Sequence, residues 1–341
     1  MNLQQAIKAV SDRRDLTPEQ MTAVMTLIMT GEATPAQIGG FLIGLRMKGE
    51  TIDEISAAAA VMRSLSARVE VDAPHLVDTC GTGGDASRIF NVSTASAFVC
   101  AAAGAQVAKH GNRSVSSSSG SADLLEAAGA RIDLSPEEVG ECIRETGLGF
   151  MFAPAHHGAM KHAIGPRREM AVRTIFNVLG PLTNPAGAPN QLLGVFTGEL
   201  VAPIAEALNR LGSRHVMVVH SDDGLDEISI AAPTQVAELN DGRVTEWVLN
   251  PDEYGIQNHS LGSLAVGSAK DSLRLIEGVF AGEQGPARDM VVLNAGAAIY
   301  ASGVVNELEA GVERAREVID AGAARDKLEQ FVECTRSLKK D

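Results

Sequence analysis

The stretch Leu76-Val77-Asp78-Thr79-Cys80-Gly81-Thr82-Gly83-Gly84-Asp85 decides the fold class. A short apolar strand runs into a glycine-rich loop, and Asn91-Val92-Ser93-Thr94 then opens an apolar helix from about Ser93 to Ala103. Gln106-Val107-Ala108 is the next short strand, followed by a polar loop and a helix from Ala122 to Ala128. Ser135-Pro136-Glu137-Glu138 caps a further helix, and Leu148–Phe152, Leu192–Phe196 and His215–Val219 read as strands, with a helix at Leu200–Leu211. Strands alternating with helices predict an α/β domain with a mostly parallel central sheet. Val236–Leu239 and Val244–Val248, joined around Asp241-Gly242, predict an antiparallel hairpin. The chain is helical again from Asp271 to Leu338.

Upstream of Val69 the pattern is different. Thr17-Pro18-Glu19-Gln20 and Thr34-Pro35-Ala36-Gln37 each offer an N-cap, a proline at the first helical position and a capping-box glutamine. Thr51-Ile52-Asp53-Glu54 repeats the box without proline. Apolar residues follow each at helical spacing, so residues 1–70 predict a small all-helical domain. At 341 residues, two domains are expected.

Charge narrows the function. Lys plus Arg number 29 against 43 Asp plus Glu, a net charge of −14, which disfavours general binding to nucleic acid or anionic membranes. Four cysteines without a CxxC pattern predict free thiols and a cytoplasmic protein, and no segment reads as a leader or a membrane span. The acids are unevenly placed. None lies between Asp85 and Asp123, a stretch that holds Arg88, Lys109 and Arg113. Between Glu145 and Glu199 the only acid is Glu169, against Lys161, Arg167, Arg168 and Arg173. Loops of Ser, Thr, Asn and Gly from which carboxylates are missing suit an anionic ligand.

The motifs agree. Gly81-Thr82-Gly83-Gly84-Asp85-Ala86 formally fits a dinucleotide fingerprint, yet no acid stands about twenty residues on to hold a ribose, and the Walker lysine is missing too. What remains is a loop whose amides can approach an anion, facing a helix N-terminus at Asn91-Val92-Ser93-Thr94. Lys109-His110-Gly111-Asn112-Arg113-Ser114-Val115-Ser116-Ser117-Ser118-Ser119-Gly120-Ser121 supplies cations and hydroxyls for a polyphosphate. Asp222-Asp223-Gly224-Leu225-Asp226-Glu227 follows a strand, where α/β proteins hold Mg²⁺ for a phosphate ligand. His156, His157 and His162 match no zinc pattern.

These motifs, together with Asn177-Val178-Leu179-Gly180-Pro181-Leu182-Thr183-Asn184-Pro185, resemble the anthranilate phosphoribosyltransferase family in order and spacing over nearly the whole chain. The resemblance implies a fold of the nucleoside phosphorylase and phosphoribosyltransferase type. The resemblance also implies that a segment around residues 165–185 returns to the helical domain and that residues 71–164 and 186–341 form the α/β domain. It implies transfer of a phosphoribosyl group from 5-phosphoribosyl 1-pyrophosphate to anthranilate in tryptophan biosynthesis, with Mg²⁺, by a homodimer joined through the helical domain. Carried over by position, Gly81, Gly84, Asp85, Asn91, Val92, Ser93, Thr94, the stretch Lys109, His110, Gly111, Asn112, Arg113, Ser114, Val115, Ser116 and Ser117, and Ser121 form the phosphoribosyl pyrophosphate site. Ser93, Asp226 and Glu227 are implied metal ligands. Gly81, Asn112 and Arg167 are implied anthranilate contacts, with His110, Pro154 and His157 along its access channel. No residue is implied as a general acid or base. Two positions depart from the family pattern: Ile89 stands where many relatives carry Thr, and Met160 where some are aromatic.

Two other readings share some of these features. Pyrimidine nucleoside phosphorylases have a related glycine loop but need no Asp-Glu metal pair. A relative that binds nucleic acid would show a basic face and a broken metal motif.

Overall fold

The computed structural model describes residues 1–85, 87–114, 119–257 and 260–338. The chain opens with four helices, α1 (Leu3–Ser11), α2 (Pro18–Met29), α3 (Pro35–Lys48) and α4 (Ile52–Ser64). All four start at capping boxes. Thr17 Oγ1 accepts the Gln20 N–H at 3.3 Å, and the Gln20 side chain accepts the Thr17 N–H at 3.1 Å. Each such cap satisfies N–H groups that have no partner within the helix, worth about 0.5–2 kcal/mol. The helical spacing of Met21, Val24, Met25 and Ile28, and of Ile38, Phe41, Leu42 and Leu45, puts these residues on buried faces.

Seven strands follow: β1 (Leu76–Gly81), β2 (Gln106–Gly111), β3 (Leu148–Phe152), β4 (Asn190–Gly194), β5 (His215–Ser221), β6 (Thr234–Asn240) and β7 (Arg243–Leu249). Their order in the sheet is β3-β2-β1-β4-β5-β6-β7. The first five are parallel, and β5-β6-β7 is an antiparallel edge turning at Asp241 and Gly242, with φ of 44° and 86°. Strand order reverses between β1 and β4. Open α/β sheets bind their ligands at the carboxyl ends of the strands at such a switch.

The helices of this part are α5 (Val92–Ala102), α6 (Ser121–Ala127), α7 (Pro136–Thr146), α8 (Ala153–His156), α9 (Lys161–Met170), α10 (Phe176–Leu179), α11 (Val201–Arg210), α12 (Ala269–Phe280), α13 (Pro286–Ala301), α14 (Leu308–Asp320) and α15 (Ala323–Ser337). Alternation along the strands feeds two cores. Leu192, Met217 and Val219 pack with α5 and α13 on one face. Leu193, Val216 and Val218 pack on the other with α11 and with the apolar faces of α2, α3 and α4. Ala163 of α9 and Phe176 and Leu179 of α10 join this second core. The bundle and the sheet are therefore cemented by one apolar mass.

Strand limits differ from expectation in an instructive way. β2 runs on from Ala108 through Lys109, His110 and Gly111, and β4 begins at Asn190 rather than Leu192. In both, polar side chains that are buried lengthen the strand: Lys109 is 2% exposed and Gln191 4%. All four cysteines are free thiols, but the fold brings Cys142 and Cys334, distant in sequence, to 3.1 Å between sulfurs.

Candidate functional site

The glycine loop sits over the carboxyl ends of β1 and β4. Gly83 and Gly84 have φ of 66° and 82°, which glycine adopts without steric cost. Thr82 N–H donates to the Gly194 carbonyl at 2.9 Å, and Gly83 N–H donates to Asp226 Oδ2 at 2.7 Å. The acidic loop presses so closely on β4 that a Cβ on Gly194 would collide with the Asp226 carbonyl oxygen. A Cβ on Gly81 would meet the Asp226 carboxylate at 2.7 Å. Only glycine fits at 194, and at 81 a Cβ would displace the Asp226 carboxylate.

Helix α5 begins beside this loop with no side-chain cap. Asn91, the residue placed to cap it, is committed elsewhere. Its Nδ2 donates to the Ser119 carbonyl, and its Oδ1 accepts the hydroxyls of Ser119 and Ser272 at 2.9 and 2.8 Å. Ser93 N–H, in the first turn of α5, donates to Glu227 Oε1 at 3.1 Å. Val92 is buried in the core, so it offers the site its backbone. Thr94 Oγ1 is buried with no hydrogen-bond partner among the described residues.

Lys109 lies beneath. Its Nζ donates to the Thr79 carbonyl and lies 3.4 Å from both Thr79 Oγ1 and Ser93 Oγ. Burial pulls its pKa down, and the Asp78 carboxylate opposes that pull. Above it, burial and the neighbouring Asp85 push Asp226 up to about 7. Burial and the Asp226 charge raise Glu227 well above the carboxylate range. Carboxylates held this close, with one ammonium nearby, are short of positive charge. A divalent cation would relieve the shortage. Among the described residues no three His, Cys, Asp or Glu side chains gather to cage a metal. Asp226 and Glu227 form a partial shell, as Mg²⁺ uses when substrate phosphates and water complete it.

The next residue on β2 faces the other way. The His110 and His157 rings lie 5.0 Å apart, and neither Nε2 has a partner among the described residues. Burial lowers His110 to about 3 and His157 to about 4, so both rings are neutral near pH 7. Asp78, buried under this bend, accepts His110 N–H at 3.2 Å and Asn184 Nδ2 at 2.7 Å. Asn184 Nδ2 also donates to the Ala108 carbonyl at 2.8 Å. Pro154 is exposed on α8. Arg167, half-buried on α9, stacks over the Phe176 ring at 5.3 Å, and its guanidinium has no hydrogen bond or ion pair among the described residues.

The serine-rich segment is described only in part. Asn112 is exposed, with its Oδ1 accepting Arg113 N–H at 2.7 Å. Arg113 pairs with Glu126 and with Asp123 at 3.3 Å and covers the Phe152 ring. Its guanidinium is thus committed to α6. Ser114 N–H donates to Asp123 Oδ2 at 3.0 Å, and Ser121 Oγ lies 3.4 Å from the Asn112 carbonyl, close over Gly111. Ala86, Val115, Ser116 and Ser117 lie outside the described residues. Ile89 forms a backbone bridge to Ala265, and Met160 packs at the edge of the second core.

Sequence reasoning passed over several of these residues. Thr79 and Asp78 stand in the quoted stretch and read as the start of the glycine loop, whereas both lie within β1. Arg173, noted only as a cation, donates to the Gly84 carbonyl, stacks 4.1 Å over Phe196 and is held at its own carbonyl by Arg46 of α3. Ser272 and Asn294 carry no signal, because each is an ordinary polar residue in a helical run with no motif around it.

Comparison with known proteins places the chain. Residues 73–325 match the family described as Glycosyl transferase family, a/b domain, and residues 4–66 the Glycosyl transferase family, helical bundle domain. The chain is 65% identical over 337 residues to the anthranilate phosphoribosyltransferase of Thioalkalivibrio sulfidiphilus, covering 99% of this chain and 100% of that one. It is 64% identical to that of Alkalilimnicola ehrlichii, with coverage of 99% and 100%. Among solved structures, anthranilate phosphoribosyltransferase from Thermus thermophilus superposes with a TM-score of 0.92 at 44% identity, covering 97% of this chain and 99% of that one. The Saccharomyces cerevisiae protein in complex with PRPP and Mg gives 0.89 at 27%, with 98% of each chain covered.

Proposed function

The chain belongs to the anthranilate phosphoribosyltransferase family, and from that premise we propose how its residues carry the reaction. The protein transfers the phosphoribosyl group of 5-phosphoribosyl 1-pyrophosphate to the amine of anthranilate. The products are N-(5-phosphoribosyl)anthranilate and pyrophosphate, in tryptophan biosynthesis. One observation supports the assignment most strongly. The Asp226–Glu227 pair is held by the amides of Gly83 and Ser93, above Lys109, at the sheet's switch point.

The amine attacks the anomeric carbon as pyrophosphate leaves, so negative charge grows on the leaving group and positive charge on the ribose. The loop Gly81 to Asp85, the first turn of α5 (Asn91 to Thr94) and Lys109 are assigned to the leaving group, with Lys109 and those amides not already bonded to Gly194, Asp226, Glu227, Phe90 or Ser272 as its donors. His110 to Ser114 and Ser121 are assigned to the phosphate end, and Val115, Ser116 and Ser117 are assigned with them from the sequence alone. Ser93, Asp226 and Glu227 are the residues that would hold Mg²⁺, which when bound would offset the charge that grows on pyrophosphate. Gly81, Asn112, His110, Pro154 and His157 bound the anthranilate path. Arg167, whose guanidinium has no other polar partner among the described residues, pairs with the carboxylate. The neutral histidines are too weakly basic to take a proton before attack. The aryl amine attacks while neutral and gives its proton to water afterwards.

Residues 1–70 with a returning segment around 165–185 are assigned to the helical domain, and 71–164 with 186–341 to the α/β domain. Packing of α9 and α10 in the core shared with α2, α3 and α4 supports this. A groove over α1 and α3, lined by Gly39, Gly40, Gly44, Met47 and Met170, supports dimerisation through the helical domain, and Met47 is 68% exposed there. Free cysteines support a cytoplasmic setting. Among the described residues no helix is long and apolar enough to cross a membrane. Loss of anthranilate fluorescence on adding phosphoribosyl pyrophosphate and Mg²⁺ tests the reading. A folded protein that leaves the fluorescence unchanged contradicts it.

A further inference from the structure

Helix α13 is buried and apolar over most of its length, yet Asn294 stands at its centre with no exposed surface, between Leu293 and Ala295. An amide there needs a reason, because asparagine is a poor helix former and an unpaired buried amide is costly. The reason lies in the acidic loop. Asn294 Oδ1 accepts the Ile228 N–H at 2.9 Å, and its Nδ2 donates to the Ile228 carbonyl at 2.8 Å. The second Nδ2 hydrogen goes to the Met290 carbonyl at 2.9 Å, so both donors are used. One side chain thus takes both backbone groups of the residue that follows Glu227.

We propose that Asn294 is a positioning residue for the reaction, fixing from the core helix the spacing of Asp226 and Glu227 at which the pair takes up metal and pyrophosphate together. The loop is pinned on both sides of Glu227. Before it, the Asp226 carbonyl is seated on Gly194, where no Cβ fits. After it, the buried Ile228 is clamped by Asn294. Glu227 then has little choice of direction, and its carboxylate lies 3.1 Å from Ser93 N. Two adjacent carboxylates repel, so a loop free to relax would let them separate. The clamp opposes that relaxation in the free protein, before any ligand arrives. Outer contacts that orient metal ligands are worth about 10–100-fold in affinity.

This inference rests on the reading of Asp226 and Glu227 as the metal pair, and the test separates the two. Asn294→Leu removes the clamp at similar volume. Asn294→Asp, which keeps an acceptor for the Ile228 N–H, is the second variant should the first fail to fold. Asn190→Ala is the control. That amide is also buried and bonded to backbone, to the Leu76 carbonyl at 2.9 Å, but at the opposite end of β4. Two quantities are read: the Mg²⁺ concentration for half-maximal turnover at saturating substrates, and amide hydrogen exchange at Glu227 and Ile228 with neither metal nor substrate present. The Asn294 variants are expected to raise the Mg²⁺ requirement about tenfold or more and to speed exchange at Ile228. The KM for anthranilate should stay within about twofold, because the access channel lies on the other face of β2. Asn190→Ala should lower thermal stability without moving the Mg²⁺ requirement. A folded Asn294 variant with the wild-type Mg²⁺ requirement overturns the proposal, as does an equal shift in Asn190→Ala. Failure of the metal reading itself looks different: Asp226→Asn, Glu227→Gln would then keep the wild-type Mg²⁺ dependence.

Discussion

Lys109 and His110 are neighbours on β2, and they serve opposite kinds of environment. The strand's period of two sends Lys109 toward α5 and Ser93, where carboxylates crowd and are pushed up in pKa. It sends His110 toward His157, where burial keeps two imidazoles neutral. One half-site is short of positive charge and suits a cation with a polyphosphate. The other presents neutral imidazoles and the Arg167 guanidinium and suits a flat aromatic acid. A strand can therefore divide one site into two chemistries without a second element, and each half should be breakable alone.

The largest break is expected on the charged side. Asp226→Asn, Glu227→Gln keeps shape and removes two charges, and should lower turnover about a thousandfold, the metal's share of leaving-group stabilisation being several kcal/mol. Turnover against Mg²⁺ concentration, with circular dichroism to confirm folding, checks it. The same variant carries a second signature. A carboxyl whose folded pKa lies above its ordinary 3.8, as at about 7 for Asp226, takes stability from the native state as pH rises from about 4 to about 7. Without metal or substrate the variant should therefore melt higher than wild type at pH 8, and the gain should fade toward pH 4.

On the neutral side, Arg167→Ala should cost about 1.5–3 kcal/mol, or roughly ten- to over a hundredfold in kcat/KM for anthranilate. The dissociation constant for phosphoribosyl pyrophosphate should change little. An unchanged kcat/KM would remove Arg167 from the carboxylate contact.

The smallest effect is the one read in stability. His110 and His157 have folded pKa values of about 3 and about 4 against an ordinary 6.5. The unfolded chain then binds protons that the native state does not, and stability is lost as pH falls below about 6.5. Replacing both by Gln should flatten this acid limb, shrinking the loss of Tm between pH 7 and pH 5 by a few degrees. An unchanged acid limb would mean that the rings are protonated in the folded protein. The two half-sites thus titrate with opposite sign.

Legibility in the sequence followed how local each cause is. Capping boxes lie within four residues, so α2, α3, α4 and α7 could be read directly. The reading of short apolar runs as strands located β3 and β5. It failed at the ends of β2 and β4, where Lys109, Asn190 and Gln191 are polar yet buried because the partners that satisfy them lie far along the chain. The switch-point order of the sheet is a long-range property that no window contains. The site was legible as motifs because glycine loops and acid pairs are contiguous. Its supports were not. Asn294 reaches Ile228 across 66 residues and Ser272 reaches Asn91 across 181. Either residue, seen alone, is an ordinary helix position.

The division of the site by one strand is tested most directly by crossing two variants with two substrates. Lys109→Met and His110→Gln are each titrated calorimetrically with phosphoribosyl pyrophosphate and Mg²⁺, and each is assayed for its KM for anthranilate. Lys109→Met should raise the dissociation constant about tenfold or more and leave the anthranilate KM within about twofold. His110→Gln should raise the anthranilate KM several-fold and leave the dissociation constant within about twofold. Two folded variants that weaken the same substrate to the same degree would contradict the account.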